Sequence, residues 1–239
     1  MTLSSISARN IPTESPGAQT SSSTGRPAAP ATWDLEEARA HLRQADPVLA
    51  RLIESNPDFD PRSWLARLPP LDAFGALLFQ IIGQQLSVVA TRRILERIKT
   101  GFDGHIPTPE QVLASDPDQL RAAGLSRRKA ETIRAVPAAF VDGTLAERDL
   151  QEMTDEEIQT TLTAISGIGP WTVQGFLIIA LNRPDVVLPG DLALRKVIQR
   201  QYSLDHIASA EDVLNIAEPW RPYRSLATAY LFQSAFNTG

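Results

Sequence analysis

Apolar residues recur at helical spacing in short blocks, each introduced by a capping signal. Asp34 precedes a block from Leu35 to Gln44, and Asp46-Pro47 opens a second through Val48, Leu49, Leu52 and Ile53. After a Pro69-Pro70 break, Leu71-Asp72 leads into Ala73 to Ile82, apolar nearly all round and therefore predicted to be buried. Ser87 is placed to cap Val88 to Ile98, while Thr108-Pro109 and Asp116-Pro117 signal short helices over Pro107 to Ala114 and Asp116 to Ala123. Gly124 reads as the glycine that follows a helix, and Ser126 as the cap of one helix from Arg127 to Phe140. Asp155 to Ile165 carries Ile158, Leu162 and Ile165 on one face, and Pro170 opens an almost wholly apolar helix over residues 170–182. Asp191 is placed to cap a helix bearing Leu194, Val197 and Ile198, and Ala210 to Ala217 and Leu226 to Phe236 follow. No strand of useful length emerges, so the pattern predicts an all-α fold. Residues 1–32, rich in Ser, Thr, Pro, Ala and Gly, are expected to form a disordered tail, with the helical body spanning residues 33–239.

Three stretches carry chemistry. Gly167-Ile168-Gly169 joins two helices by a turn whose backbone is expected to need glycine twice. Uncovered N–H groups at the start of a helix favour an anion, so a phosphate could sit there without a basic side chain. Gly-x-Gly alone is equally the mark of a plain helical corner. Further on, Pro189-Gly190-Asp191 presents a carboxylate at a helix N-terminus, both a cap and an outward-facing charge. Between the buried Ala73–Ile82 helix and the basic one after it lies Gln84-Gln85-Leu86, a surface turn or an inserting loop.

A hairpin of apolar helices with Pro170-Trp171-Thr172 after the second glycine, followed by Pro-Gly-Asp, resembles the helix–hairpin–helix/Gly-Pro-Asp DNA glycosylase superfamily. The matching segments run from about residue 71 to 236, and Trp220-Arg221-Pro222-Tyr223-Arg224-Ser225 is similar to the bacterial 3-methyladenine DNA glycosylase II branch. The resemblance implies two helical subdomains, about 71–182 and 33–70 plus 183–239, flanking an active-site cleft. It implies Asp191 as the catalytic carboxylate and Trp171 and Phe232 as walls of the base pocket. Gln84, Gln85 and Leu86 would fill the gap left by a flipped nucleotide. Gly167, Gly169, Thr172, Arg127 and Lys129 would hold phosphates, and the carbonyls of Thr163, Ile165 and Ile168 a structural Na+ or K+. The bifunctional relatives carry a lysine where this chain has Trp171, so no Schiff base is expected and no cofactor is needed for catalysis. A family tyrosine is Gly175 here and a tryptophan is Phe232, which suggests a wider base pocket.

Composition narrows this picture. With no cysteine, the chain cannot hold an iron–sulfur cluster or a zinc-thiolate site, and His41, His105 and His206 are scattered. A net charge of −5 argues against a general nucleic-acid coat. Local basic clusters remain at Arg92, Arg93, Arg97 and Lys99 and at Arg127-Arg128-Lys129. No apolar run reaches membrane-spanning length and no secretory signal opens the chain, so the expectation is a cytoplasmic, nucleoid-associated bacterial monomer. Its expected partner is double-stranded DNA with alkylated bases. Two other readings stay open: a non-catalytic DNA-binding module using the hairpin alone, and a glycosylase for uracil or oxidised purines. The latter would want a hydrogen-bonding base pocket, for which the sequence offers few polar residues.

Overall fold

The computed structural model describes residues 34–63, 68–145 and 149–236; the expected tail over residues 1–32 lies outside them. Among the described residues all regular structure is helical and none is strand. In order these are α1 (Leu35–Ala45), α2 (Pro47–Glu54), α3 (Ala73–Gly83), α4 (Val88–Gly101), α5 (Pro109–Ala114), α6 (Pro117–Ala122) and α7 (Arg127–Ala135). Then come α8 (Pro137–Val141), α9 (Asp155–Thr163), α10 (Pro170–Ile179), α11 (Leu192–Gln201), α12 (Ala210–Ala217) and α13 (Arg224–Phe236).

The helices begin where side-chain oxygens can satisfy their first N–H groups. Asp34, Asp46, Asp72, Ser87, Thr108, Asp116, Ser126 and Asp191 all accept from the first turn that follows them. One expectation fails in the middle of the chain. The single helix from Arg127 to Phe140 is two, α7 and α8, divided at Val136. Pro137 lacks an N–H and its ring crowds the carbonyl four residues earlier, so the helix breaks and restarts there.

Two apolar cores result. One is built from α3 to α10, with Leu77, Leu95, Ile133, Leu162 and Phe176 buried in it. The other joins α1 and α2 to α11, α12 and α13, around Leu42, Ile198, Trp220 and Leu231. α10 lies between them, because Ile178 packs on both and Trp171 reaches the second.

Buried polar groups tie these parts together. Asp46 Oδ1 accepts from Val48 N (2.7 Å) and Leu49 N (3.1 Å), and its Oδ2 from Trp220 Nε1 (2.9 Å) and the Tyr202 hydroxyl (2.6 Å). Burial, then the Asp46 contact, pushes the Tyr202 phenol far above its ordinary pKa and holds it as a donor. Trp220 is thus a lock between the closing helices and the α1–α2 corner. Arg62 donates to Ile178 O and Ile179 O (3.2 Å each) and to Asn182 Oδ1 (2.7 Å). These bonds finish α10 at Ile179, short of the residue 182 expected from the apolar run.

Candidate functional site

The turn between α9 and α10 needs one glycine, not two. Gly167 has φ +92°, and a Cβ there would run into Thr132 Oγ1 and lie 3.1 Å from Thr132 Cβ. Thr132, buried on α7, donates to Ser166 O at 3.1 Å and so fastens the hairpin from below. Gly169 has φ −110° and ψ 175°, ordinary extended backbone, and a Cβ there would meet nothing within 4 Å. The expectation of a second conformationally demanded glycine is therefore corrected. The open space matters instead: the N–H groups of Gly167 and Gly169 make no hydrogen bond with described residues, at the N-terminus of a ten-residue helix.

The loop after α3 is tied to this hairpin. Gln84 Nε2 donates to Gly167 O and to Thr172 Oγ1, both at 3.0 Å. Lys129 Nζ donates to Ile82 O (2.8 Å) and Gln84 O (2.6 Å), covering the last carbonyls of α3, and its burial pulls its pKa down. The structure thus places Gln84, Thr172 and Lys129 inward, bonded to one another's elements. Gln85 and Leu86 point the other way. Gln85 is exposed at φ +60°, and Leu86 is 42% exposed, followed by Val88 and Val89 at 48% and 58%. Arg127 is exposed and paired with Glu131 at 2.8 Å; Arg93 and Arg128 are exposed as well.

Asp191 ties the start of α11 to α10. Its Oδ1 caps α11 by accepting from Leu194 N (2.9 Å), and its Oδ2 accepts from Trp171 Nε1 (2.8 Å). Asp191 and Trp171 are both half-buried, and Asp191 forms no ion pair with a described residue. Phe232, half-buried on α13, packs on the same core as Trp171. The result is a fixed carboxylate beside an indole, which suits stabilisation of a developing positive charge. The pocket expected to widen at Gly175 does not open there. A Cβ on Gly175 would lie 2.6 Å from Gln80 Cδ and 2.9 Å from its Nε2, so the Gln80 amide already fills that place. Sequence reading missed Gln80, although a polar residue inside an apolar helix was the visible signal.

The carbonyl oxygens of Thr163 and Ile168 accept no backbone N–H of a described residue, whereas Ile165 O takes that of Ile168 (3.1 Å) and keeps a second lone pair. Oxygen donors of this kind suit a hard cation.

A phosphate-ready hairpin, an exposed apolar loop bonded to it and a tethered carboxylate on a helix cap define a helix–hairpin–helix protein built to handle DNA. The chain belongs to the HhH-GPD superfamily of base excision DNA repair proteins, whose family model matches residues 79–222. It is 30% identical over 203 residues to DNA-3-methyladenine glycosylase 1 of Schizosaccharomyces pombe, covering 84% of this chain and 88% of that one. It is 28% identical over 176 residues to DNA-3-methyladenine glycosylase 2 of Escherichia coli, covering 70% of this chain and 59% of that protein's length. The solved structure of the S. pombe 3-methyladenine DNA glycosylase in complex with abasic DNA superposes with a TM-score of 0.76, over 84% of this chain and 97% of that one.

Proposed function

We propose that this chain is a monofunctional DNA glycosylase of base excision repair that removes alkylated, cationic purines such as 3-methyladenine by hydrolysis. The observation that carries the reading is the Asp191 carboxylate, positioned by Trp171 Nε1 and Leu194 N where α10 meets α11. The names of the S. pombe and E. coli relatives support the substrate class.

The target base is stacked in a duplex and must be extruded, which costs a few kcal/mol. Leu86 and Gln85, exposed beside the hairpin, fill the gap, and the N–H groups of Gly167 and Gly169 hold a backbone phosphate. A Na+ or K+ would be held by the carbonyls of Thr163, Ile165 and Ile168 and would supply positive charge next to that phosphate. As the glycosidic bond lengthens, positive charge builds on the sugar, and Asp191 stabilises it and orients the incoming water. A purine that is already cationic leaves as a neutral base, so no general acid is required. The Trp171 face attracts that cation before it leaves, a gain of about 0.5–2 kcal/mol. The placement of the lysines supports hydrolysis without a lyase step, with Lys196 exposed on α11. Trp171 stands at the lysine position of the bifunctional relatives, Lys129 caps α3 and Lys99 pairs with Glu96 at 3.0 Å.

The test incubates the protein with a duplex carrying a single 3-methyladenine. Free base should appear, the strand should stay intact until alkali, and borohydride should trap no covalent complex. Binding without base release would leave a non-catalytic DNA-binding module, and trapping would show a Schiff base.

A further inference from the structure

From Ala73 to Ile82 every residue of α3 is apolar except Gln80. Gln80 is only 7% exposed, and its amide makes no hydrogen bond with a described residue. Such a group is retained against the cost of an unmet donor and acceptor, and its polar atoms are not among those fully sealed from solvent. The amide lies against Gly175, where a Cβ would come 2.6 Å from Gln80 Cδ and 2.9 Å from its Nε2, so a larger residue there would push the amide aside. Gly175 stands one helical turn after Trp171, on the same face of α10, and Trp171 donates to Asp191. One turn further along α3, Gln84 is bonded to Thr172. The amide therefore sits on the α3–α10 wall, against a residue one helical turn from Trp171, whose indole holds Asp191.

We propose that Gln80 is a specificity-determining residue that hydrogen-bonds the edge of the flipped base, with Gly175 as the space that lets its amide stand there. The inference rests on the glycosylase reading above. An amide offers a donor next to an acceptor, and adenine matches it with its N6 amino group and a neighbouring ring nitrogen. A methyl group at N3 leaves that edge intact, so 3-methyladenine is held by the amide while its cationic ring lies near Trp171. Gln80 makes and breaks no bond; it selects which base dwells beside Asp191.

The experiment compares wild type with Gln80→Met, which keeps length and packing but has no amide. Inhibition by free 3-methyladenine is measured against inhibition by 3-methylpurine, which lacks the amino group, together with single-turnover excision from a 3-methyladenine duplex and thermal unfolding. In wild type 3-methyladenine should inhibit roughly 10–100-fold more tightly than 3-methylpurine. Gln80→Met should erase that difference by weakening 3-methyladenine more than 3-methylpurine, which has only the ring-nitrogen contact to lose, and excision should fall by a similar factor. Gln80→Leu, which also lacks both amide donor and acceptor, should do the same and covers the case in which the methionine variant fails to fold. Retention of the preference in a folded variant, or equal weakening of both bases, would overturn the proposal and leave Gln80 a packing residue. A wild-type chain that releases no 3-methyladenine would overturn the glycosylase reading instead.

Discussion

Asp191 uses one carboxylate oxygen to cap α11 and the other to hold the Trp171 indole, so its structural and chemical parts separate by choice of substitution. Asparagine caps a helix as well as aspartate does, but its amide nitrogen cannot accept from Trp171 Nε1, so Asp191→Asn should lose only about 1 kcal/mol of stability. Removing the charge should lower single-turnover excision by about 100–1000-fold, with DNA affinity equal or higher. Trp171→Phe keeps an aromatic face but releases Oδ2; excision should fall about tenfold, and stability by about 1 kcal/mol. Urea melts and excision rates check both, and excision near the wild-type rate by Asp191→Asn would remove Asp191 from the mechanism. A second residue-scale prediction concerns pH. His206 bridges Asp205 (2.6 Å) and Asp212 (3.0 Å), and the Asp205 contact, then the Asp212 one, raises its pKa above the ordinary 6.5. Its stabilising contribution is complete below 6.5 and is lost as pH rises through the raised value. Asp212, brought down to about 2 mainly by the Ser209 N–H, contributes above the ordinary 3.8 and is lost as pH falls toward 2. The start of α12 is therefore firmest between about pH 4 and 6.5. An NMR titration should place the His206 midpoint above 6.5, and His206→Gln should flatten the loss of melting temperature on the alkaline side.

At the scale of the element, the hairpin separates two glycines that look alike in sequence. Gly167→Ala must adopt left-handed backbone and displace Thr132, and should cost about 2–4 kcal/mol. Gly169→Ala should leave the melting temperature unchanged but weaken DNA binding several-fold, because its methyl enters the space in front of the free N–H groups. Tight binding by a folded Gly169→Ala variant would make the hairpin a corner and nothing more. Much of this level was legible in the chain. Caps such as Asp46, Thr108 and Asp191 act on N–H groups two or three residues away, so sequence alone places them. The break at Pro137 was missed in the sequence, although a proline in mid-helix removes a hydrogen bond and crowds the preceding turn. What the sequence hid depends on partners distant in the chain. Gln84, Thr172 and Lys129 look like polar surface residues until α3, α7 and α10 come together and turn their polar atoms inward. Likewise Gly175 looked like lost pocket bulk because nothing local says that Gln80 stands opposite.

At the scale of the whole molecule, the chain binds a polyanion while carrying a net charge of −5. Many of its cations hold the fold together. Arg97 donates to Ala123 O (2.7 Å), Arg134 to Ser115 O (2.9 Å) and Arg183 to Met153 O (2.6 Å). Arg195 is bonded to Ala208 O, and Arg224 pairs with Asp185 at 2.5 Å. Near the hairpin and its loop, Arg93, Arg127 and Arg128 remain exposed. Backbone N–H groups orient a phosphate without neutralising its charge, so they release few counterions. Each phosphate that is neutralised contributes about −0.9 to the log–log salt slope, which gives a total of about −3 for three arginines. Binding of Asp191→Asn to an uncleavable abasic duplex across salt should give that shallow slope. Arg128→Ala should flatten it by about 1, whereas Gly169→Ala should lower affinity at every salt concentration and leave the slope alone. A wild-type slope steeper than about −6 would mean that arginines now bonded within the protein turn outward on DNA, and that charge rather than the hairpin backbone holds the duplex.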